Sequence, residues 1–593
     1  MPVDLNEDGP DGPPLRRRSA AIAACVVVIV AVVAYAPTIH DYFLQDDFGV
    51  VGLLSQKPWF YFPRWFVAPW TENVYGYVPD EIRPFPALSY QIAAAFGAAS
   101  PVPNHILNIA IHGLNGLLVM WIAQAAAGIT PVPALFAGLV FVLLPIQAES
   151  VAWVTGRVDS LPTCFYFASF LMYVRSRSVR LPTSLSELRR ASKPDTTEAG
   201  ATEAGATETV TSRKAYLWSI ALFFAALFSK QNTITLAPAL VLFDVIVDRH
   251  RPSTGARGVP SVVEERVELS WTWIRPYVPY VLLTAGFLLL RYVLFHEVAR
   301  EGVLSAQRFR EFISDGSRHL ARLVFGGAGL RHWAGRDTII VSLASIAIAF
   351  IAARASGDDA RRLWRPAIYF GVIWIACGMA PILVSGYYSP RHMYLASLGW
   401  AVTLGIALDI LWRARPVRYA RMATALGAAA LLIAYAAQLR DVVRDWNSRA
   451  AISRIALADL EREANEAPEG ALVIVGVPAA SWAFAVPLAL RPPFTRTDLT
   501  RRVLVVSDSS LHCCPVSHWN DYTRQALQAW HGRADRAPAV AMYWDGRTGR
   551  LSRVADKDDP QLRTLISLIV GTDSRETLDS AIRGLLKNFV AVR

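Results

Sequence analysis

Ala20-Ala-Ile-Ala-Ala-Cys-Val-Val-Val-Ile-Val-Ala-Val-Val-Ala-Tyr-Ala-Pro-Thr38 runs directly into Ile39-His-Asp-Tyr-Phe-Leu-Gln-Asp-Asp-Phe-Gly49. The first part carries no charge and has the length that crosses a bilayer, about 20 residues. Arg16, Arg17 and Arg18 precede it, as in a secretory leader. No small-residue cleavage site follows, so the segment is read as an uncleaved first span. The acidic pair Asp46-Asp47 lies just past its end. Carboxylates are costly in hydrocarbon and tend to be functional when held at its edge. Two so close together raise one another's pKa, which suits a general base near neutral pH. The same pair also reads as the cap of a short juxtamembrane helix.

Working outward, the 593 residues are 53% hydrophobic and only 18% charged, with a mean hydropathy of +0.31. Soluble domains carry more charge. Apolar blocks fall at 20–39, 105–126, 132–147, 160–176, 215–229, 231–248, 276–297, 338–354, 366–384, 394–413 and 419–437. The expected fold is an all-α polytopic membrane protein of about eleven spans. The net charge of +11 is nearly all Arg, with six Lys in the chain, a composition that suits a GC-rich bacterial genome. Basic loops on the cytoplasmic face account for it, so no nucleic-acid partner is implied.

With residues 1–19 as a cytoplasmic tail, the loops at Arg175–Arg180, Arg249–Arg251, Arg361–Arg365 and Arg413–Arg418 all fall inside, as positive-inside requires. The outer segments are then 40–104, 148–159, 298–337, 385–393 and everything after about 438. Residues 181–213 include repeats of Thr-Glu-Ala-Gly-Ala and read as a disordered cytoplasmic loop. Short β-branched runs at 471–476, 502–507 and 539–543, with helical stretches at 449–467 and 574–587, predict a small α/β soluble domain over 446–593 on the outer side. Of the five Cys, Cys25, Cys164 and Cys377 sit in apolar helices. The adjacent Cys513-Cys514 suggest neither a zinc site nor a disulfide framework.

On this topology the polar residues gather on one side. The outer ends of the spans hold Asp41, Asp46, Asp47, Glu81, Arg83, Glu149, Arg157, Asp159, Lys230, Gln231, Asn232, Arg391, His392 and Tyr394, and are expected to face a common cavity at the outer leaflet. Singly, each has a bland reading: a local ion-pair set for Glu149, Arg157 and Asp159, a snorkelling Lys230, an interface anchor at Arg391-His392. Asn104, His105, Asn108, His112 and Asn115 form a polar stripe at about 100° per residue, which cannot face lipid. Interhelical hydrogen bonding explains Asn108 and Asn115, while His105 lies nearest the outer surface. Metal-ligand spacing such as His-Glu-x-x-His is absent. The aromatics Trp59, Phe60, Tyr61, Trp65, Trp70, Tyr75 and Tyr77, with Arg64, suit an interfacial segment and also sugar stacking.

Together these stretches resemble the GT-C glycosyltransferases, which are membrane enzymes that use polyprenyl-phosphate sugars. The resemblance is nearest to protein O-mannosyltransferases that carry tetratricopeptide repeats. It rests on Phe43–Asp47, Arg83–Ser89, Asn104–Asn115, Pro145–Asp159, Ser229–Leu236 and Ser389–Ser397, in that order, over about residues 20–445. Three departures stand out. Leu144 occupies a position where such proteins often have His, Gln231 follows Lys230 where they have Glu, and a different domain replaces the repeats. The resemblance implies inverting transfer of a monosaccharide, mannose first, from a polyprenyl-phosphate donor to a protein or glycan hydroxyl, without cofactor or catalytic metal. Such transfer needs a carboxylate to take the acceptor proton and a cation for the leaving phosphate. Asp46, with Asp47 its partner or substitute, fits the first role. Arg391, then Lys230 and Arg157, fit the second, because guanidinium grips phosphate bidentately. Arg83, His105, Glu149, Asp159, His392 and Tyr394 are expected to shape the site. Transfer of a pentose to a glycolipid or polysaccharide, and a lipid or polysaccharide transporter without catalysis, are the alternatives. The expected location is a bacterial cytoplasmic (inner) membrane, N-terminus inside, C-terminal domain outside, in contact with membrane lipid.

Overall fold

The computed structural model describes residues 13–71, 81–97, 100–178, 198–248, 271–296, 306–325, 357–382, 389–414, 418–466, 473–476, 486–500, 502–506, 540–555 and 560. The expected span 338–354, the helix at 574–587, Tyr75, Tyr77, Arg249–Arg251, residues 181–197 and Cys513-Cys514 lie outside the described residues.

The described chain is mostly helical. Its main helices are α1 (Pro13–Tyr35), α2 (Asp47–Leu54), α3 (Pro84–Ala95), α4 (Val102–Ala125), α5 (Pro131–Leu143), α6 (Ala148–Ala152), α7 (Arg157–Ser178), α8 (Glu198–Leu227), α9 (Leu236–Phe243), α10 (Val278–Phe295), α11 (Ala306–Phe325), α12 (Gly357–Ile368), α13 (Ser397–Ala414) and α14 (Arg418–Glu466). Among the described residues four stretches are long and apolar enough to cross a membrane: Arg18–Thr38, Val102–Ala125, Arg275–Phe295 and Tyr419–Glu466. A fifth is available if α5 and the run Pro145–Ala152, bent by 49°, count as one. Of the eleven blocks expected, 338–354 lies outside the described residues, and three of the described blocks are interrupted. Pro145 breaks the 132–147 block. The 231–248 block opens as a 3₁₀ turn and closes in a π segment. The 366–384 block passes through a π segment at Tyr369–Trp374. Residues 198–213, expected to be disordered, belong instead to α8. Ala and Glu are strong helix formers, and their repeats outweigh the interspersed Gly.

The molecule divides into two compact units, each built from separated stretches of chain. The first comprises 1–34, 109–150 and 158–442. Its core is aromatic. The ring of Phe170 meets those of Phe243, Tyr369, Phe370 and Trp374. The buried polar tips have partners: Tyr369 donates to the Ala239 carbonyl (2.8 Å) and Trp374 to the Leu395 carbonyl (3.0 Å). Away from that core, Asp244 accepts from Tyr173, Tyr277 and Arg177, so this buried carboxylate is compensated.

The second unit comprises 35–108, 151–157 and 443–593. It contains α2, α3, the C-terminal half of α14 and a four-stranded sheet of β1 (Val473–Gly476), β2 (Val503–Val506), β3 (Val540–Asp545) and β4 (Arg550–Ala555). The order is β2-β1-β3-β4, with β1 parallel to β2 and β3, and β4 antiparallel to β3. Asp459 of α14 ties in β4, accepting from the Arg550 guanidinium and from Leu551 N (3.1 Å).

Candidate active site

In the second unit the two residues of the acidic pair stand in different surroundings, Asp46 part-exposed and Asp47 buried. Asp46 stands at the N-cap position of α2 and its side chain makes no cap bond, so the helix-cap reading does not account for it. Gln45, immediately before it, has φ +46°, a left-handed backbone that a non-glycine residue adopts at a cost of order 1–3 kcal/mol. That turn directs the chain into the pair. Asp47 is buried and fully engaged. Its Oδ2 accepts from Leu44 N (2.9 Å), and its Oδ1 accepts from Thr155 N (2.8 Å) and Thr155 Oγ1 (2.6 Å). Trp153 adds a bond from Nε1 to the Leu44 carbonyl (3.3 Å). Burial pushes the Asp47 carboxyl up to about 7, against its hydrogen bonds to Thr155 and Leu44; the neighbouring Asp46 adds to the rise. Burial likewise lifts Asp41 to about 7, opposed by Arg454.

Arg157, expected as a phosphate ligand, is a structural cation. Its Nε donates to Asn108 Oδ1 (2.7 Å), its Nη1 to Ser89 O and Oγ (3.1 and 3.2 Å), and its Nη2 to Asn104 O and Oδ1 (both 2.9 Å). The guanidinium also lies 4.4 Å from the Tyr90 ring centroid. A fully buried guanidinium with every N–H committed has nothing left for a ligand. Asn108 extends the network by donating to the carbonyls of Val151, Trp153 and Val154. His105 bonds the Asp41 carbonyl through Nε2 (3.1 Å) and so braces the same loop. Arg83 pairs with Glu81 (2.9 Å), which also accepts from Trp70 Nε1 (3.1 Å). Sequence reasoning missed Thr155 as the anchor of Asp47; the two are far apart in the chain, and only the folded loop joins them.

The first unit holds a charged cluster assembled from four elements. Glu149 lies on α6 after the Pro145 break, Asp159 on the first turn of α7, Lys230 at the exit of α8, and Arg391 on the 3₁₀ turn Pro390–Met393. Lys230 pairs with Asp159 Oδ1, and Ser389 donates to Glu149 Oε1. Arg391 lies 3.5 Å from Glu149 Oε1 and 3.5 Å from Asp159 Oδ2, at the long edge of ion pairing. Two cations thus face two carboxylates, all largely buried. Burial and the adjacent Lys230 and Arg391 hold His392 well below the ordinary imidazole range, so it is neutral at pH 7. Tyr394 turns into the protein: its hydroxyl meets His112 Nδ1 (2.7 Å) and accepts from Asn115 (3.1 Å). It thereby joins His112 and Asn115 of the polar stripe. Among the described residues no group of three or more His, Cys, Asp and Glu is placed to hold a metal ion.

No family model matches the chain. The mouse protein O-mannosyl-transferase TMTC2 is 28% identical over 158 residues, 26% of this chain and 18% of that protein. The human protein O-mannosyl-transferase TMTC4 is 32% identical over 107 residues, 16% of this chain and 14% of that protein. The chain therefore spans under a fifth of the length of these relatives. Among solved structures, ArnT from Cupriavidus metallidurans bound to undecaprenyl phosphate aligns at TM-score 0.48 and 14% identity, covering 89% of this chain and 94% of that one.

Proposed function

We propose that this chain is a membrane glycosyltransferase that moves a monosaccharide, mannose first, from a polyprenyl-phosphate donor to an acceptor hydroxyl on the extracytoplasmic side. The observation that carries the reading is the contrast within the acidic pair, with Asp47 buried and Asp46 part-exposed. Asp47 is consumed by Leu44 and Thr155, and the strained turn at Gln45 leads into its neighbour. Local similarity to protein O-mannosyl-transferases supports the class of reaction.

Asp46 is assigned the base. It takes the proton as the acceptor oxygen attacks the anomeric carbon, and the sugar–phosphate bond breaks with inversion. Asp47 is assigned to hold that loop in place. Arg391 and Lys230 are assigned the departing phosphate on the chemistry of their own cluster. Arg391, loosely shared between Glu149 and Asp159, can exchange a carboxylate for phosphate oxygens at low cost. Glu149 and Asp159 then keep the cations in position.

The test is transfer by the purified protein from a panel of polyprenyl-phosphate hexoses and pentoses. Asp46→Asn is expected to abolish transfer while expression and folding stay intact, and wild-type turnover in that variant removes Asp46 from the role. A preference for a pentose donor would replace mannose and leave the mechanism standing.

A further inference from the structure

We propose that residues 443–466 and 488–500 are a working part of the acidic-pair loop, and that Phe494 is a positioning residue that sets where the pair stands. This rests on the reading of Asp46 as the base. The aromatic residues on either side of the pair, Phe43 and Phe48, both pack on Phe494. Its ring meets Phe43 edge-on at 5.3 Å and 74°, and Phe48 at 5.0 Å and 86°. Phe43 and Phe48 meet each other at 6.3 Å, which closes a triangle of edge-to-face contacts around the loop. The same ring reaches the next turn of α2. A Cβ added at Gly52 would lie 3.1 Å from Phe494 Cε2, so glycine there permits the close approach.

The turn that carries Phe494 is itself held. Leu499 N donates to the Leu490 carbonyl (2.7 Å), and Arg496 N to Glu461 Oε1 of α14 (2.6 Å). Helix α14 then grips the loop from a second direction. Ser453 Oγ donates to the Phe43 carbonyl (2.8 Å), Arg454 to the His40 carbonyl, and Trp446 stacks on Trp153 at 6.4 Å and 16°. Trp153 in turn bonds the Leu44 carbonyl. The backbone at 40, 43 and 44 and the rings at 43 and 48 are therefore all fixed, directly or through Trp153, by residues after 443. A detached acceptor-binding module would not need to grip this loop at so many points.

The experiment compares Phe494→Ala, Phe494→Tyr and Gly52→Val in the full-length protein. It reads kcat, donor KM and amide hydrogen exchange over residues 43–54, with Asp46→Asn alongside. Phe494→Ala is expected to lower kcat about tenfold or more, to leave donor KM unchanged and to speed exchange in 43–54. Phe494→Tyr keeps the ring edges and is expected to restore both readouts. If Phe494→Ala fails to fold, Gly52→Val displaces the same ring from the α2 side and is expected to show the same pattern. Unchanged exchange overturns the proposal. So does faster exchange with wild-type kcat, or a loss carried entirely by donor KM. If the wild-type chain transfers no sugar, the glycosyltransferase reading fails by itself, and the exchange measurement alone decides whether Phe494 positions the loop.

Discussion

At the scale of single residues, two arginines stand in different surroundings. Arg157 spends every N–H on Ser89, Asn104 and Asn108, whereas Arg391 is held at 3.5 Å by two carboxylates. Arg157→Ala would leave those buried acceptors without a donor, at about 3 kcal/mol. It is expected to lower the unfolding midpoint in detergent strongly, and any loss of transfer follows from that. Arg391→Ala is expected to slow transfer about 10- to 100-fold through donor binding or phosphate departure, and to lower the midpoint less than Arg157→Ala, because Asp159 keeps Lys230 and Glu149 keeps Ser389. Equal stability losses in the two variants would refute the distinction. The sequence identified Asp46, Asp47, Glu149, Asp159, Lys230 and Arg391 as candidates, because charge beside apolar blocks is conspicuous. It could not tell Arg157 from Arg391, since that difference lies in partners 49 to 68 residues away.

At the scale of elements, the apolar blocks at 132–147, 231–248 and 366–384 are not single straight helices. Hydropathy reports only that a block avoids water. Whether it forms one straight rod depends on Pro145, on the π segment at Tyr369–Trp374, and on how neighbours pack. One such contact is testable. In α13, a Cβ on Gly399 would run into the Phe370 carbonyl oxygen and stand 2.8 Å from Ile375 Cγ1, which is too close for any side chain. The backbones touch there because glycine allows it, as in small-residue helix contacts in membranes. Gly399→Ala is expected to force α13 off the π segment, lowering the unfolding midpoint by several degrees and reducing yield. A midpoint equal to wild type would mean that this contact yields without cost.

At the scale of the whole molecule, each unit is assembled from stretches distant in sequence, and its titration follows from that assembly. Burial pushes the Asp41 and Asp47 carboxyls up to about 7, against about 4 for a free aspartate. The folded chain therefore keeps protons that the unfolded chain gives up above about pH 4. The contribution of these two groups to stability falls as pH rises toward 7 and levels off beyond it. Asp41→Asn cannot ionise, so its unfolding midpoint is expected to gain on wild type between pH 5 and pH 8. A gap that stays constant with pH would show that Asp41 titrates normally. Sequence alone determined that this is a membrane chain with costly charges beside its apolar blocks, because burying or exposing a side chain is priced residue by residue. Only the tertiary structure decided that Asp47 is an anchor, that Arg157 is a buried strut, and that Phe494 stands against the loop of the acidic pair. Those roles depend on which distant groups come within about 3 Å for hydrogen bonds or 5 Å for rings. No local pattern encodes such distances.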